Sequence, residues 1–219
     1  MYKKSYLFLL ISFFPVVVNA QCIALQTYPA ETSFEITTYN DEGEISSATK
    51  YQVEEVRKES ERTLIMMRFI ITNKKGKEID KGNRSIIISG NNYNINLSSV
   101  IPEYKSDDPI YIQYSCTPKP GDDIPEFSRV TTYEEDNMGQ ISIISNKVGL
   151  DEGKYGTTEE IITELGTFNC IKLTYKVRYD LQDFVYTEWI DQATGRTIKI
   201  ERINKKGKLD SYSLLTKFN

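Results

Sequence analysis

The 219-residue sequence contains no histidine. That absence excludes Ser-His-Asp and Cys-His nucleophilic sites, together with His-ligated zinc, copper or iron. It also removes the imidazole group that would switch charge near neutral pH. Tryptophan occurs once, as Trp189, and cysteine three times, as Cys22, Cys116 and Cys170. Neither sign of charge dominates. The 27 basic and 31 acidic residues leave a net charge of −4, which disfavours nucleic acid and anionic membrane surfaces as partners.

What is present begins with an address. Lys3 and Lys4 precede the apolar run Tyr6 to Val18, which leads into Asn19-Ala20. A cationic start, a short apolar stretch and small side chains before a cut site form a secretory signal peptide. As a helix the run would span only about 20 Å, short of a ~30 Å hydrocarbon core. Residues 1–20 are expected to be removed after Ala20. They leave one β-rich domain over 21–219, periplasmic or extracellular and not membrane-spanning. Cys22 lies just past the apolar run and raises a lipid-anchored alternative. Lipoprotein signals, however, need a small residue immediately before the cysteine, and Gln21 stands there. Outside the cytoplasm, three cysteines imply one bridge and one spare. Cys116–Cys170 would close a loop of about fifty residues and stabilise by roughly 4 kcal/mol. Spacing alone leaves the pairing open.

Alternation of apolar and polar residues dominates the rest. Ile171, Leu173, Tyr175, Val177 and Tyr179 alternate with Lys172, Thr174, Lys176 and Arg178, a two-residue period that puts one set on a buried strand face. Tyr93 to Leu97, Ile110 to Tyr114 and Tyr212 to Phe218 repeat the pattern. Leu64 to Ile71 and Ile86 to Ile88 are more uniformly apolar, as in central strands covered on both faces. Asn-x-x-Gly followed by a charge occurs at Asn40–Glu44, Asn73–Lys77 and Asn204–Lys208. Asparagine opens such turns through its side-chain acceptor, and glycine supplies the left-handed residue of a hairpin bulge. Two further turns are expected at Leu181–Asp183 and Ala193–Gly195. Ser46 to Arg62 has helical composition but reads as a strand, because the first of these turns needs a returning partner. The predicted fold is all-β: a large curved antiparallel sheet or half-barrel built from long hairpins, with little helix. Five of the seven prolines fall within 102–126, marking a lobe boundary or lid.

Candidate chemistry is sparse. The acids Glu134-Glu135-Asp136 lack the alternating spacing of a calcium loop and read as a solvated turn. Asp107/Asp108 and Asp122/Asp123 are carboxylate pairs of the kind a glycosidase uses, if folding sets them across a cleft. Cys116 has no histidine to deprotonate it. Ser47-Ala48-Thr49-Lys50 lacks the companion motifs of a lactamase. Glu188-Trp189 could form part of a sugar or peptide platform, although Trp189 reads first as a core or rim anchor.

Several features carry a family resemblance: Gly166-Thr167-Phe168-Asn169-Cys170, Glu188-Trp189, Lys206-Gly207-Lys208 and Ser211 to Thr216. With Tyr28-Pro29 and the Tyr39 to Gly43 hairpin, they make the chain resemble the TapB-like family of exported bacterial β-rich envelope proteins. The likeness is strong at both ends and weak between about Asn83 and Asp151. It implies export and a β architecture, and supplies no catalytic residues. Ala193-Thr194-Gly195-Arg196 departs from the Gly-Val-Gly segment common in that family. Cys22 and Cys170 match positions where the family often has cysteine. Cys116 does not match such a position, so the resemblance leaves the pairing open, and a bridge from Cys170 to Cys116 or Cys22 is the candidate.

The functional expectation is an exported envelope protein that binds without catalysing, with no cofactor and no metal. Its ligand would be an apolar molecule or an envelope protein, taken on the face formed by Ile171, Leu173, Tyr175, Val177 and Tyr179. The alternatives are a structural or assembly component of a cell-surface complex and, last, a carboxylate-based glycan hydrolase.

Overall fold

The computed structural model describes residues 20–97, 109–137, 140–179 and 182–219. The apolar run before Ala20 lies outside them, as do Asp107, Asp108 and Leu181. Among the described residues one short helix, α1 (Ala20–Gln26), precedes twelve strands. The first six are β1 (Ser33–Asn40), β2 (Ile45–Lys58), β3 (Arg62–Asn73), β4 (Glu78–Ser89), β5 (Asn92–Asn96) and β6 (Tyr111–Ser115). The second six are β7 (Phe127–Asn137), β8 (Gln140–Thr163), β9 (Gly166–Tyr179), β10 (Gln182–Asp191), β11 (Thr197–Asn204) and β12 (Leu209–Phe218). All lie in one open, curved antiparallel sheet with the order β6-β5-β4-β3-β2-β1-β12-β11-β10-β9-β8-β7. Every strand neighbours its successor in the chain except β6, and the first and last strands meet mid-sheet where β1 pairs with β12.

Turn chemistry sets the hairpins. Asn40 Oδ1 accepts the backbone N–H groups of Glu42 and Glu44 at 3.2 and 2.7 Å. Asn73 holds Lys75 and Lys77 in the same way, and Asn204 holds Lys206 and Lys208. Gly43, Gly76 and Gly207 have φ of +83°, +74° and +72°, a left-handed conformation that a side chain would disfavour. The stretch from Ser46 is strand, as its turn requires.

The two sheet edges, β6 and β7, are consecutive in the chain, and the segment that joins them bridges the curl. Gly121 N–H donates to Tyr155 O, Tyr155 N–H to Asp122 O, and Ile124 N–H to Gly153 O. β8 offers these groups because it bulges between Asp151 and Lys154 and again between Tyr155 and Thr158, which frees backbone from its partner strand. A Cβ on Gly153 would collide with Ile124 Cγ1. Ile110, Ile112, Tyr114, Cys116 and Ile124 are all buried in the main core. The described part of the proline-rich stretch is therefore packed against the sheet.

Two expectations change. Leu64 to Ile71 is not covered evenly on both faces: Ile65, Met67, Phe69 and Ile71 are buried, whereas Arg68 is exposed and Leu64, Met66 and Ile70 are half-buried. The disulfide joins Cys22 to Cys116, and Cys170 is a buried free thiol. The pairing of Cys170 with Cys116 or Cys22 is thus corrected. Cys170 sits mid-β9, whereas α1 packs beside the end of β6 and brings Cys22 to Cys116 with a Cα separation of 5.2 Å. This bridge spans 94 residues and ties the helix to the residue after β6, at the main core.

Candidate functional site

Strand pairing builds the interior wall. Ile171 lies across from Ile190, Leu173 from Glu188, Tyr175 from Tyr186 and Val177 from Phe184. Opposed residues share a sheet face, so a glutamate stands in the same row as the apolar set of β9. Ile171, Leu173, Tyr175 and Val177 are fully buried, and Tyr179 is partly buried against the same core. These residues form packed interior, and the apolar cavity described below has other walls. Of the five, only Tyr175 reaches the polar centre, through its hydroxyl.

That centre is Glu188, 1% exposed. Its Oε1 accepts the hydroxyls of Tyr175 at 2.5 Å and Tyr114 at 2.8 Å, and its Oε2 accepts Thr197 Oγ1 at 3.0 Å. Burial raises the carboxyl pKa above its ordinary value, and the three hydroxyl donors oppose the rise. The Tyr114 and Tyr175 hydroxyls are pushed well above the usual phenol range, first by burial and then by the Glu188 carboxylate. Aromatic stacking fixes the ring positions. Tyr114 lies 5.1 Å from Tyr93 and Tyr175 lies 5.6 Å from Tyr186, both pairs nearly parallel.

Beside Glu188 the concave face holds an apolar cavity of about 110 Å³. Met67, Ile86 and Ile95 wall one side, Ile200 and Leu215 the other, while Leu25 on α1 and Tyr28 just after it help close it. The cavity approaches the ~150 Å³ apolar voids that stay dry and admit benzene. Ile36, Tyr51 and Ile200 also wall a second, more polar hollow of about 400 Å³, which takes in Arg84, Arg202 and Tyr212. Arg84 donates to Tyr51 Oη at 2.6 Å and lies 4.2 Å over the Phe69 ring.

Arg196 is the cation of the apolar cavity. Its Nε donates to Tyr28 Oη at 2.6 Å, and its guanidinium lies 3.6 Å over the Phe218 ring. Arg196 is not singled out by the sequence, and Glu188 enters only beside Trp189, as part of a sugar or peptide platform. A signal for Glu188 was present: it falls in phase with Phe184, Tyr186 and Ile190, an apolar row. Trp189 points to the opposite face, where Lys172 and Lys199 cover its ring at 5.4 and 4.6 Å and its indole N–H donates to Glu159.

The remaining sequence candidates do not converge. Asp122 Oδ2 accepts the Lys119 N–H in a turn, and Asp123 is exposed beside Lys154. Ser47 and Lys50 lie on β2, three residues apart and therefore on opposite faces. The side chains of Glu134, Glu135 and Asp136 lie outside the described residues. No group of metal-binding side chains occurs among the described residues, and no described helix is long and apolar enough to cross a membrane.

The architecture is shared with solved structures. A protein described as exported, with a YmcC-like fold, from Bacteroides fragilis superposes with a TM-score of 0.71 at 17% identity, covering 87% of this chain and 96% of that one. A protein described as a lipoprotein from Parabacteroides distasonis gives 0.69 at 19% identity over the same shares. At this identity the likeness is one of fold. No curated protein matches the chain in sequence. Residues 30–215 match a family model that spans the sheet from just before β1 into β12, and the chain accordingly belongs to the DUF3108-like family.

Proposed function

We propose that this is an exported envelope protein that binds a small apolar or amphipathic molecule on its concave face, without catalysis. The observation that carries the reading is the apolar cavity of about 110 Å³ beside the Glu188 network. Pockets for larger ligands commonly occupy ~300–1,000 Å³, so the ligand is either small or extends into the adjoining hollow. This reading moves the site away from Ile171, Leu173, Val177 and Tyr179, which fill the core.

Export is supported by the cationic and apolar start and by relatives of the same fold described as exported or as lipoproteins. The TapB-like motifs, Tyr28-Pro29 among them, agree with an envelope location. Cleavage after Ala20 leaves Gln21 at the mature terminus. Cys22 sulfur is engaged by Cys116, and a sulfur in a disulfide cannot also carry a lipid thioether. The mature protein is therefore free of diacylglycerol in this reading. An apolar fluorescent probe tests the binding: it should bind in the wild type, be displaced by a small amphiphile, and raise the melting temperature by mass action. Absence of binding and of the thermal shift would end the ligand reading.

The assembly role has its own observation. Val130 on β7 and Ile143 and Ile162 on β8 are 69–80% exposed, and β7 is a sheet edge. Both features suit a protein partner. Co-purification of a stoichiometric envelope protein, lost on Ile162→Lys, would favour it.

A further inference from the structure

We propose that the cavity takes an anionic amphiphile with a single carboxylate, and that Arg196 is the residue that selects the head group. The inference rests on the cavity being a ligand site and adds the class of ligand. Arg196 is half-buried in the turn between β10 and β11, on the cavity wall. Its bonding is incomplete in a specific way. Nε is used by Tyr28 Oη, and one face of the guanidinium is covered by Phe218. The two terminal nitrogens have no hydrogen-bond partner and no carboxylate at ion-pair distance among the described residues.

The neighbouring acids do not supply that partner. Glu188 has its oxygens taken by Tyr114, Tyr175 and Thr197. Asp191, close to Tyr28, accepts Thr194 Oγ1 at 2.6 Å. A half-buried cation set against an apolar wall attracts an anion more strongly than one in open water, and guanidinium pairs best with a planar carboxylate through two parallel N–H donors. Tyr28 and Phe218 hold the plane in place, so little freedom is lost on binding. The apolar body then occupies the space between Met67, Ile86 and Ile95, which suits a ring or a short chain. A longer chain would continue past Tyr51 into the adjoining hollow.

The test compares octanoate, octanol and octylammonium, as displacers of an apolar fluorescent probe and by calorimetry, on the full mature protein. Octanoate should bind about tenfold more tightly than octanol, the scale of one charge-assisted pair. Arg196→Gln should lower octanoate to the octanol level and leave octanol unchanged, while Arg196→Lys keeps the preference for the anion. Ile95→Phe, which fills the cavity, should weaken all three, with unchanged circular dichroism verifying the fold of each variant. Equal binding of octanoate and octanol by the wild type would overturn the role of Arg196 while leaving the cavity as a ligand site. Tighter binding of octylammonium would overturn it in favour of Glu188. Failure of the wild type to bind the probe or any of the three would overturn both readings.

Discussion

Glu188 and Trp189 are neighbours on β10 and end on opposite faces of the sheet, each where the other would be expected. The acid lies inside among Tyr114, Tyr175 and Thr197, while the indole lies on the other face beneath Lys172 and Lys199. Each is stabilised in a different way. Inside, a buried carboxylate is tolerable because three hydroxyls replace its lost water. Outside, two lysines and Glu159 cover an aromatic ring that solvent would otherwise meet. The two faces teach that strand register, through its period of two, outranks the polarity of any single residue.

The largest way to break the comparison is to place a second acid inside without partners. Leu173→Asp, directly across from Glu188, should cost about 4 kcal/mol, because an unpaired carboxyl is forced into the core. Urea denaturation checks this, and a loss under about 1 kcal/mol would mean that the inner face is not a packed core.

Next in size, Glu188→Ala should cost about 3 kcal/mol, because it strands the buried Tyr114 and Tyr175 hydroxyls and the half-buried Thr197 hydroxyl and opens a void. Glu188→Gln should cost far less. Its amide oxygen can accept both tyrosines, and its NH₂ can donate to Thr197. The pair also carries a pH signature. Burial raises the Glu188 pKa, so the folded state favours the protonated form. The stability this group contributes is complete below the unfolded carboxyl pKa of about 4.3 and is lost as pH rises through the folded value. Glu188→Gln should thus gain on the wild type as pH increases through that window, as followed by melts between acidic and neutral pH. A constant difference would place Glu188 in a more hydrated setting.

On the other face, Trp189→Ala should cost about 3 kcal/mol, from lost ring burial and two cation–π contacts. Added salt should narrow this gap slightly, since part of it is electrostatic. The smallest effect sharpens the contrast: Lys172→Glu, one residue from Leu173, loses an exposed ion pair with Glu159 and should cost no more than about 1 kcal/mol. Its partial cover of Trp189 is shared with Lys199.

The amino-acid sequence by itself determined the hairpins and the fold class. Asn40, Asn73 and Asn204 act within five residues, and the alternation from Ile171 to Tyr179 needs only the geometry of an extended chain. Both are local, and both are legible. It also determined what chemistry is absent, because a chain without histidine offers no imidazole in any fold. Tertiary structure alone decided which apolar row is core and which wall is cavity, since period-two patterning marks a buried face without saying what lies against it. It likewise decided the disulfide, where α1 folds across the curl to carry Cys22 to Cys116 and leaves Cys170 enclosed. Glu188 and Arg196 come to line the cavity for the same reason. Their partners, Tyr114 and Tyr28, are distant in sequence and meet them only when the sheet curls and the segment after α1 closes over its concave face.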